Sequence, residues 1–282
     1  MLKKKREPDN EKWRAVLMGE ARGHICWNPA MRRAMRAIPS APRCKLCDTP
    51  FGRPGGIMRF VGFGPSRLNR RICGGCIHAL QKRPGGAEVE ASLLFADVRG
   101  SIALAERLSA AYFSRLMARF YGAAAQAVDD RNGIVDKFVG DEVVAFFVPG
   151  FAGRDHAAAA IAAARELMAL TGHGDGEPWI PVGAAVHTGE AFVGAVGERD
   201  ALDFTALGDP VNTTARLASM AGPGEILVSE DAAEAAGLDT GGLEPRTLDV
   251  RGRREAVGAY AIAASPSSDL TSAKKSGSAR TL

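Results

Sequence analysis

Two short apolar runs, each ending at one aspartate, constrain this chain more than any other feature. The first is SLLFADVRGSI, from Ser92 to Ile102, and the second is VDKFVGDEV, from Val135 to Val143. A short apolar run that stops at a turn is typical of a buried strand. Asp97 and Asp141 are therefore expected where strands end at one edge of a sheet. Paired carboxylates are hard oxygen ligands, and they favour Mg²⁺ or Mn²⁺ over zinc.

The residues around each aspartate predict a loop beside a helix and a hairpin. After Asp97, a glycine-containing loop leads into residues 103–128, whose apolar side chains have helical spacing. Backbone N–H groups in such a loop, close to a helix N-terminus, suit a di- or triphosphate. Residues 134–148 alternate on either side of Gly140 and predict a β-hairpin with Asp141 at its tip. An aspartate beside glycine is also a common turn residue, so neither aspartate identifies a metal site by itself.

A third segment, LDFTALGDPVNTTARLAS from Leu202 to Ser219, predicts a helix. Asp209 is expected at its N-cap, with Pro210 at the first helical position. Asn212 and Arg216 are four residues apart, so an amide and a guanidinium project from the same helix face. By spacing alone, Arg216 also fits an arginine that pairs with a nearby carboxylate.

Together these segments resemble the class III adenylate and guanylate cyclases. The resemblance extends from Glu88 to Ala263, and five motifs occur in the family's order: FADVRG, KFVGDE, VGAAVHTGEAFVGAVG, FTALGDPVNTTARL and LDVRGRRE. It implies a ferredoxin-like α/β (α+β) catalytic domain that works as a homodimer, with active sites across the interface. It also implies conversion of ATP to 3′,5′-cyclic AMP and pyrophosphate, with two Mg²⁺ or Mn²⁺ ions per active site.

The resemblance gives Asp97 and Asp141 the role of metal ligands, with the Val98 backbone as a further ligand. In the implied mechanism one ion lowers the pKa of the ribose 3′-hydroxyl and both ions hold the phosphates, so that the oxyanion attacks the α-phosphorus in line. The family usually has Gly-Phe-Thr where this chain has Gly-Ser-Ile, but backbone amides supply most of the anion contacts. The expected phosphate-binding loop comprises Val98, Arg99, Gly100, Ser101 and Ile102.

The other matched residues are expected to recognise the nucleotide. Lys137 and Thr205 match the purine-selecting pair, because lysine donates to the unprotonated N1 of adenine and the threonine hydroxyl accepts from the 6-amino group. Guanine has a donor at N1 and an acceptor at O6, so it would be mispaired there. Asn212 matches the residue that orients the ribose, and Arg216 the one that stabilises charge on the transferring phosphorus. Arg253 matches the residue that contacts the terminal phosphates, although neighbouring arginines could take that role.

The N-terminal part contains two cysteine pairs, Cys44-x-x-Cys47 and Cys73-x-x-Cys76. Each pair presents two thiolates to one ion, so four thiolates would complete a tetrahedral zinc site. An iron–sulfur cluster, a redox-active dithiol pair and four unligated core cysteines are the alternatives. The His-Ile-Cys segment at residues 24–26 could supply a substitute ligand.

Charge divides the chain into two parts. Residues 1–87 contain 19 Lys and Arg against 5 Asp and Glu, whereas residues 88–282 contain 17 against 27. This asymmetry predicts a linker at Pro84-Gly85-Gly86 between a basic N-terminal region and a cyclase region at 88–264. The cyclase region is expected to stay folded without the cysteine site. Residues 265–282 are expected to form a disordered tail.

Two further patterns bear on partners and location. Between residues 31 and 38, apolar residues at helical spacing lie opposite three arginines. Such a helix can lie on an anionic membrane surface, contact nucleic acid or pack on a neighbouring domain. No run of eighteen uncharged apolar residues and no signal-peptide core occurs, so a cytoplasmic protein without structural disulfides is expected.

The sequence therefore predicts a homodimeric adenylate cyclase with a zinc-stabilised N-terminal module. One alternative is a signalling or nucleic-acid-binding adaptor whose cyclase domain has lost catalysis. Arg216 argues against it, because a domain that only binds has no chemical need for a residue that stabilises the transition state. The other alternative is a guanylate cyclase, and only Lys137 and Thr205 oppose it.

Overall fold

The longest strands, β1 (Gly85–Val98) and β4 (Val182–Val196), pair antiparallel along nearly their whole length in this computed structural model. Apolar residues dominate both strands because both faces of this part of the sheet are covered. The predicted linker is wrong at Gly85 and Gly86, which pair with Ala195 and Gly194. A Cβ on Gly86 would lie 2.4 Å from the carbonyl oxygen of Val193, so only glycine allows this close approach.

The structure describes residues 7–20, 34–35, 37–39, 42–44, 47–52, 55–66, 72–82, 85–174, 177–197, 203–248 and 256–263. The other strands are β2 (Ile134–Val139), β3 (Glu142–Phe147), β5 (Asp203–Leu207), β6 (Glu225–Ser229), β7 (Glu244–Leu248) and β8 (Val257–Ala263). The helices are α1 (Glu7–Leu17), α2 (Gly74–Gln81), α3 (Ser101–Arg107), α4 (Ala110–Asp130), α5 (Pro149–Ala152), α6 (His156–Leu170), α7 (Asp209–Met220) and α8 (Glu230–Ala236), with a 3₁₀ helix at Gly55–Val61.

The eight strands form one sheet, in the order β2-β3-β1-β4-β6-β8-β7, with β5 paired to β4. The first four strands and the helices between them form a β-α-β-β-α-β unit, so the predicted ferredoxin-like fold class is confirmed. Helices α4 and α6 cover one face of this unit, where Phe120, Phe147 and Ile161 are fully buried. The predicted hairpin is also confirmed, since β2 and β3 join at Gly140 and Asp141.

The second face of the sheet is covered by α7 and by the N-terminal region. Trp13 of α1 stacks on Phe204 of β5, with ring centroids 6.0 Å apart. All four paired cysteines are buried in the same apolar cluster as Val89 and Leu93 of β1. The N-terminal region therefore shares a hydrophobic core with the cyclase sheet, and this contact does not support the expectation that the sheet is independent of the cysteines.

Two helix predictions are refined. Helix α7 begins one residue earlier than predicted, with Gly208 at the N-cap and Pro210 as its second residue, so Asp209 is not the capping residue. The basic amphipathic helix at 31–38 lies largely outside the described residues, as do residues 24–26, Arg253 and the tail at 265–282. Among the described residues, no helix is both long enough and apolar enough to cross a bilayer.

Candidate active site

The end of β1 and the tip of the β2–β3 hairpin bring the two predicted metal ligands together. The Val98 N–H donates to the carbonyl oxygen of Asp141 over 3.2 Å, and Asp97 lies opposite Glu142 in the ladder between β1 and β3. This pairing fixes the hairpin tip beside the end of β1. Asp97 and Asp141 are therefore adjacent because of strand register, as the sequence predicted.

Asp97 is half-buried and incompletely paired. Arg99 forms an ion pair with its Oδ2 atom, whereas Oδ1 is buried and has no hydrogen-bond partner among the described residues. Burial raises the pKa of Asp97 to about 6, the Arg99 guanidinium opposes that rise and the nearby Asp141 carboxylate adds to it. A buried carboxylate oxygen without a donor is costly. A divalent cation between Asp97 and Asp141 would remove that cost, so the donor set fits Mg²⁺ or Mn²⁺.

The loop after Asp97 differs in one respect from the prediction. The backbone N–H groups of Val98 and Arg99 donate to Asp141 and Pro181, so these two amides are already bonded within the protein. Gly100 then adopts a left-handed conformation, with φ 68°, and α3 begins at Ser101. The first N–H groups of a helix have no acceptor within it. Any amide contacts to phosphate are therefore expected from Gly100 onward, and the Ile102 side chain is exposed beside them.

In the middle of β2, Lys137 and Thr205 of β5 meet at Asp136, a residue that sequence reasoning missed. The Thr205 hydroxyl donates to Oδ2 of Asp136 over 2.7 Å, and Nζ of Lys137 lies 3.7 Å from the same oxygen. The Asp136 side chain is only 2% exposed. Burial raises the pKa of Asp136 to about 6, although the Thr205 hydrogen bond and Lys137 oppose the rise.

The role of Asp136 could not be predicted from strand alternation, because a regular strand would have Asp136 and Lys137 on opposite faces of β2. The β2–β3 ladder shifts register between Val135 and Lys137, which is a β-bulge around Asp136. A bulge re-aims side chains, and here it allows both residues to approach β5. The only signal in the sequence was an acidic residue directly before Lys137.

Helix α7 carries Asn212 and Arg216, and the predicted helical spacing is confirmed. Its apolar side, which includes Leu217 and Ala218, is buried against the sheet. Asn212 is exposed and Arg216 is half-buried, and within the described part of the chain neither side chain makes a hydrogen bond or an ion pair. The carbonyl oxygen of Ser219, near the end of α7, accepts a hydrogen bond of 3.1 Å from Arg99. The helix end is thus joined to the loop that follows Asp97.

A family model for the adenylate and guanylate cyclase catalytic domain matches residues 87–263. The chain belongs to this family. Its fold is similar to that of the guanylyl cyclase Cya2, with a TM-score of 0.56 and 25% identity over 64% of this chain and 93% of that one. It is equally similar to the adenylyl cyclase CyaB from P. aeruginosa, with a TM-score of 0.55 and 26% identity over 65% and 97% of the two chains.

Longer proteins contain similar segments. An uncharacterized protein of Mycobacterium tuberculosis is 34% identical over 56% of this chain and 30% of its own length. An adenylate cyclase of Anabaena cylindrica is 28% identical over 61% of this chain and 36% of its own length. The chain therefore spans about a third of the length of these curated relatives. Their similarity supports the cyclase family.

The four paired cysteines precede the segment that the cyclase family model matches. They are all buried, and their sulfur atoms lie within 4.8 Å of one another. The Sγ–Sγ distance is 3.7 Å for Cys44 and Cys76 and 3.5 Å for Cys47 and Cys73, much longer than the ~2.05 Å of a disulfide bond. A zinc–sulfur distance of ~2.3 Å gives a tetrahedron with edges of ~3.8 Å, so the spacing fits four thiolates around one ion.

The thiols of this cluster affect one another strongly. The pKa of the Cys47 thiol is lowered, mainly by its hydrogen bond with Cys44. The pKa of the Cys73 thiol is raised, mainly by its own hydrogen bond with Cys44. Four thiolates this close repel each other unless a cation lies between them. The backbone N–H of Cys73 also donates to the Cys44 sulfur over 3.2 Å, a contact that would support a thiolate ligand.

Proposed function

We propose that this chain is the catalytic part of a metal-dependent adenylate cyclase that converts ATP to 3′,5′-cyclic AMP and pyrophosphate. The convergence of Lys137 and Thr205 on Asp136 supports this proposal more than any other observation. It places an obligatory donor beside a hydroxyl that can accept, which is the pattern that N1 and the 6-amino group of adenine require. The similarity to an adenylate cyclase of Anabaena cylindrica supports the same choice.

Asp97 and Asp141 would hold two Mg²⁺ or Mn²⁺ ions, because they supply hard oxygen atoms and one buried oxygen of Asp97 lacks a partner. When bound, such ions activate the ribose 3′-hydroxyl and neutralise phosphate charge. Asn212 would position the ribose so that its 3′-oxygen faces the α-phosphorus. Arg216 would donate to the phosphoryl oxygens, where negative charge increases in the transition state. Both side chains are available, since neither is paired within the described residues.

We also propose that the active enzyme is a homodimer whose site is shared between protomers. Large apolar side chains are exposed on the elements around the site, and a monomer gains nothing from exposing them. They are Ile102 of α3, Phe138 and Val139 of β2, Leu207 of β5 and Met220 of α7. A second copy of the chain would cover such a surface. The aspartates would then come from one protomer, and Asn212 and Arg216 from its partner.

Mixing two inactive variants tests the shared site. Asp97→Ala and Arg216→Ala proteins should each be inactive, and a heterodimer of the two should contain one intact site. With random exchange of protomers, an equal mixture should regain about a quarter of the unmodified activity. No recovery, with heterodimers demonstrated by differential tagging, would mean that the site is built within one chain.

Product identification tests the reaction itself. The purified protein should be incubated with Mg²⁺ or Mn²⁺ and either ATP or GTP, and the nucleotide products separated and identified. We expect cyclic AMP to be the main product. Preferential formation of cyclic GMP would instead make this a guanylate cyclase, the second candidate that the similarity to Cya2 favours. No product from either nucleotide would support a cyclase-like adaptor.

For the four buried cysteines we propose a structural zinc ion. The short sulfur separations suit one ion better than a cluster in which the thiolates bind different iron atoms. Metal analysis of the purified protein should find about one zinc per chain. Stoichiometric iron with visible absorbance after anaerobic purification would point to an iron centre, and absence of metal under reducing, chelator-free conditions would leave a redox or packing role.

A further inference from the structure

We infer that Asp136 is a specificity-determining residue, because its buried carboxylate fixes the hydrogen-bonding direction of Thr205 and the position of Lys137. This inference rests on the proposed adenylate cyclase activity. Asp136 contacts Thr205 on β5 and Lys137 on its own strand.

The first step is the direction of the Thr205 hydrogen bond. A hydroxyl has one proton and two lone pairs, and an ionised carboxylate only accepts. At 2.7 Å the Thr205 hydroxyl donates its proton to Oδ2 of Asp136, with the carbonyl oxygen of Ala206 a weaker alternative at 3.3 Å. The hydroxyl can then offer only lone pairs to a ligand. A freely rotating hydroxyl would donate to guanine O6 as readily as it accepts from the adenine 6-amino group.

The second step concerns Lys137. Its ammonium group lies 3.7 Å from the same carboxylate oxygen, and its side chain is 43% exposed. A flexible lysine loses much side-chain entropy when it is ordered by a ligand alone. Asp136 attracts one side of the ammonium group and leaves other N–H donors for the base. The β-bulge in β2 is what allows this contact between consecutive residues.

The second carboxylate oxygen of Asp136 also bears on the choice of base. Oδ1 of Asp136 is buried and has no hydrogen-bond partner among the described residues. A buried acceptor without a donor is destabilising, so a ligand with N–H groups at this position is favoured. The 6-amino group of adenine offers two N–H donors. Guanine O6 in the same place would face the lone pairs of Thr205 and of Asp136 Oδ1, and this mismatch disfavours guanine.

Nucleotide binding without turnover gives the sharpest test. Calorimetry with 3′-deoxy-ATP and 3′-deoxy-GTP, which lack the attacking hydroxyl, measures base preference even in a variant that cannot cyclise. In Asp136→Asn, an amide replaces the carboxylate at nearly constant volume and can donate to Thr205. We expect the preference for the adenine nucleotide to fall by about 10- to 100-fold, which corresponds to losing one charge-assisted hydrogen bond. The matched control is Asp203→Asn, an exposed carboxylate on β5, which should change the preference by less than about threefold.

A double-mutant cycle distinguishes a role of Asp136 in positioning Thr205 from a role in stabilising the fold. If Asp136 acts in part through Thr205, then Asp136→Asn should change base preference less in the Thr205→Val background than in the unmodified protein, because only its effects on Lys137 and on the base itself remain. Thr205→Ser keeps the hydroxyl and should retain the preference of the unmodified protein. If Asp136→Asn does not fold, the comparison of Thr205→Val with Thr205→Ser still decides, because an adenine preference that survives Thr205→Val overturns the inference.

Failure of this inference is distinguishable from failure of the proposed function. The proposed function fails if the unmodified protein forms no cyclic AMP, whereas the inference is judged by the two 3′-deoxy nucleotides alone. An unchanged binding ratio in folded Asp136→Asn would overturn it, and so would a full effect of Asp136→Asn in the Thr205→Val background. A selective fall in adenine binding that becomes smaller in the Thr205→Val background supports it.

Discussion

The described residues include two candidate metal sites, which differ in burial, in ligand chemistry and in how many positions around an ion they fill. The four cysteines are buried, soft and mutually in contact, so together they complete a tetrahedral ligand set. Asp97 and Asp141 are half-buried and hard, and two carboxylates leave most positions of a Mg²⁺ ion open. A closed ligand set stabilises a fold, whereas an open one leaves room for phosphate oxygens. The difference predicts that the cysteines affect stability and the aspartates affect turnover.

The largest expected effect is loss of the cysteine site. In Cys44→Ser/Cys47→Ser we expect the bound zinc to be lost and the free energy of unfolding to fall by about 5 kcal/mol or more, because metal binding contributes directly to folding. Metal analysis and thermal unfolding measure the two quantities. The control is Cys26→Ser, the remaining cysteine of the sequence, which should keep its zinc. Equal zinc content in the double variant and the control would show that the four cysteines are not the ligands.

The same variant tests the shared core. The cysteines are buried with Trp13, which stacks on Phe204 of β5, directly before Thr205. We therefore expect the melting temperature of the cyclase sheet to fall together with that of the N-terminal region. A cyclase sheet that melts at its original temperature while the N-terminal region unfolds would restore the independence that the sequence predicted.

At the aspartate site we expect a large effect on turnover and little loss of stability. Asp97→Asn keeps an acceptor for Arg99 but removes the negative charge that a divalent cation needs, so we expect kcat to fall by about 1,000-fold or more. The free energy of unfolding should not decrease, because burial disfavours the ionised carboxylate and the amide that replaces it cannot ionise. Steady-state assays and denaturant titration give the two values.

Glu142 provides the matched control for Asp97. It lies directly opposite Asp97 in the β1–β3 ladder and belongs to the same hairpin, yet it does not match a metal-ligand position of the family. Glu142→Gln should retain activity within about threefold. A loss as large as that of Asp97→Asn would mean that three carboxylates, rather than two, hold the ions.

The elements that could be predicted from the sequence are those that depend on neighbouring residues. The strand before Asp97, the hairpin around Gly140 and the helix carrying Asn212 follow from local patterns of apolar residues and turns. The extension of β1 back to Gly85 could not be predicted, because two glycines are typical of a linker unless a partner strand is known. Glycine is required there by close contact with β4.

The parts of the candidate site that were missed depend on contacts distant in sequence. Asp136 and Thr205 are 69 positions apart, and a bulge that alternation does not predict brings them together. The cysteine spacing likewise indicated ligands but not the surface on which they pack. The sequence predicts the residues that would bind metal and nucleotide better than it predicts the residues that position them.

A chelator should separate the two metal sites by how readily each one loses its ion. EDTA added to the active enzyme should abolish turnover on mixing, and excess Mg²⁺ should restore it, because an open carboxylate site exchanges its ions readily. Zinc should stay bound after the same treatment, since four thiolates enclose the ion. Metal analysis after gel filtration measures retention. Loss of zinc in step with loss of activity would contradict the assignment of a closed and an open site.

Asp136 provides the smallest and most specific test, since it offers hard oxygen atoms on a side chain that is only 2% exposed. Burial alone does not make a metal site, because Asp136 is buried beside Lys137 and Thr205, with Asp203 further away, and these neighbours do not form a ligand set with it. Its pKa is raised from 3.8 to about 6, so the folded state binds the proton more tightly than the unfolded chain. The free energy of unfolding therefore decreases as pH rises from about 4 to about 6, and this loss persists at higher pH.

Asp136→Asn removes that penalty, because an amide cannot ionise. We expect the variant to be more stable than the unmodified protein by about 1–3 kcal/mol at pH 7.5, and equally stable near pH 4. Denaturant titrations at the two pH values measure the difference, with Asp203→Asn as the exposed control. A variant that is less stable at pH 7.5 would mean that the bonds to Thr205 and Lys137 outweigh burial. Greater stability combined with weaker base selection would show that the ionised carboxylate is kept for recognition at the expense of folding.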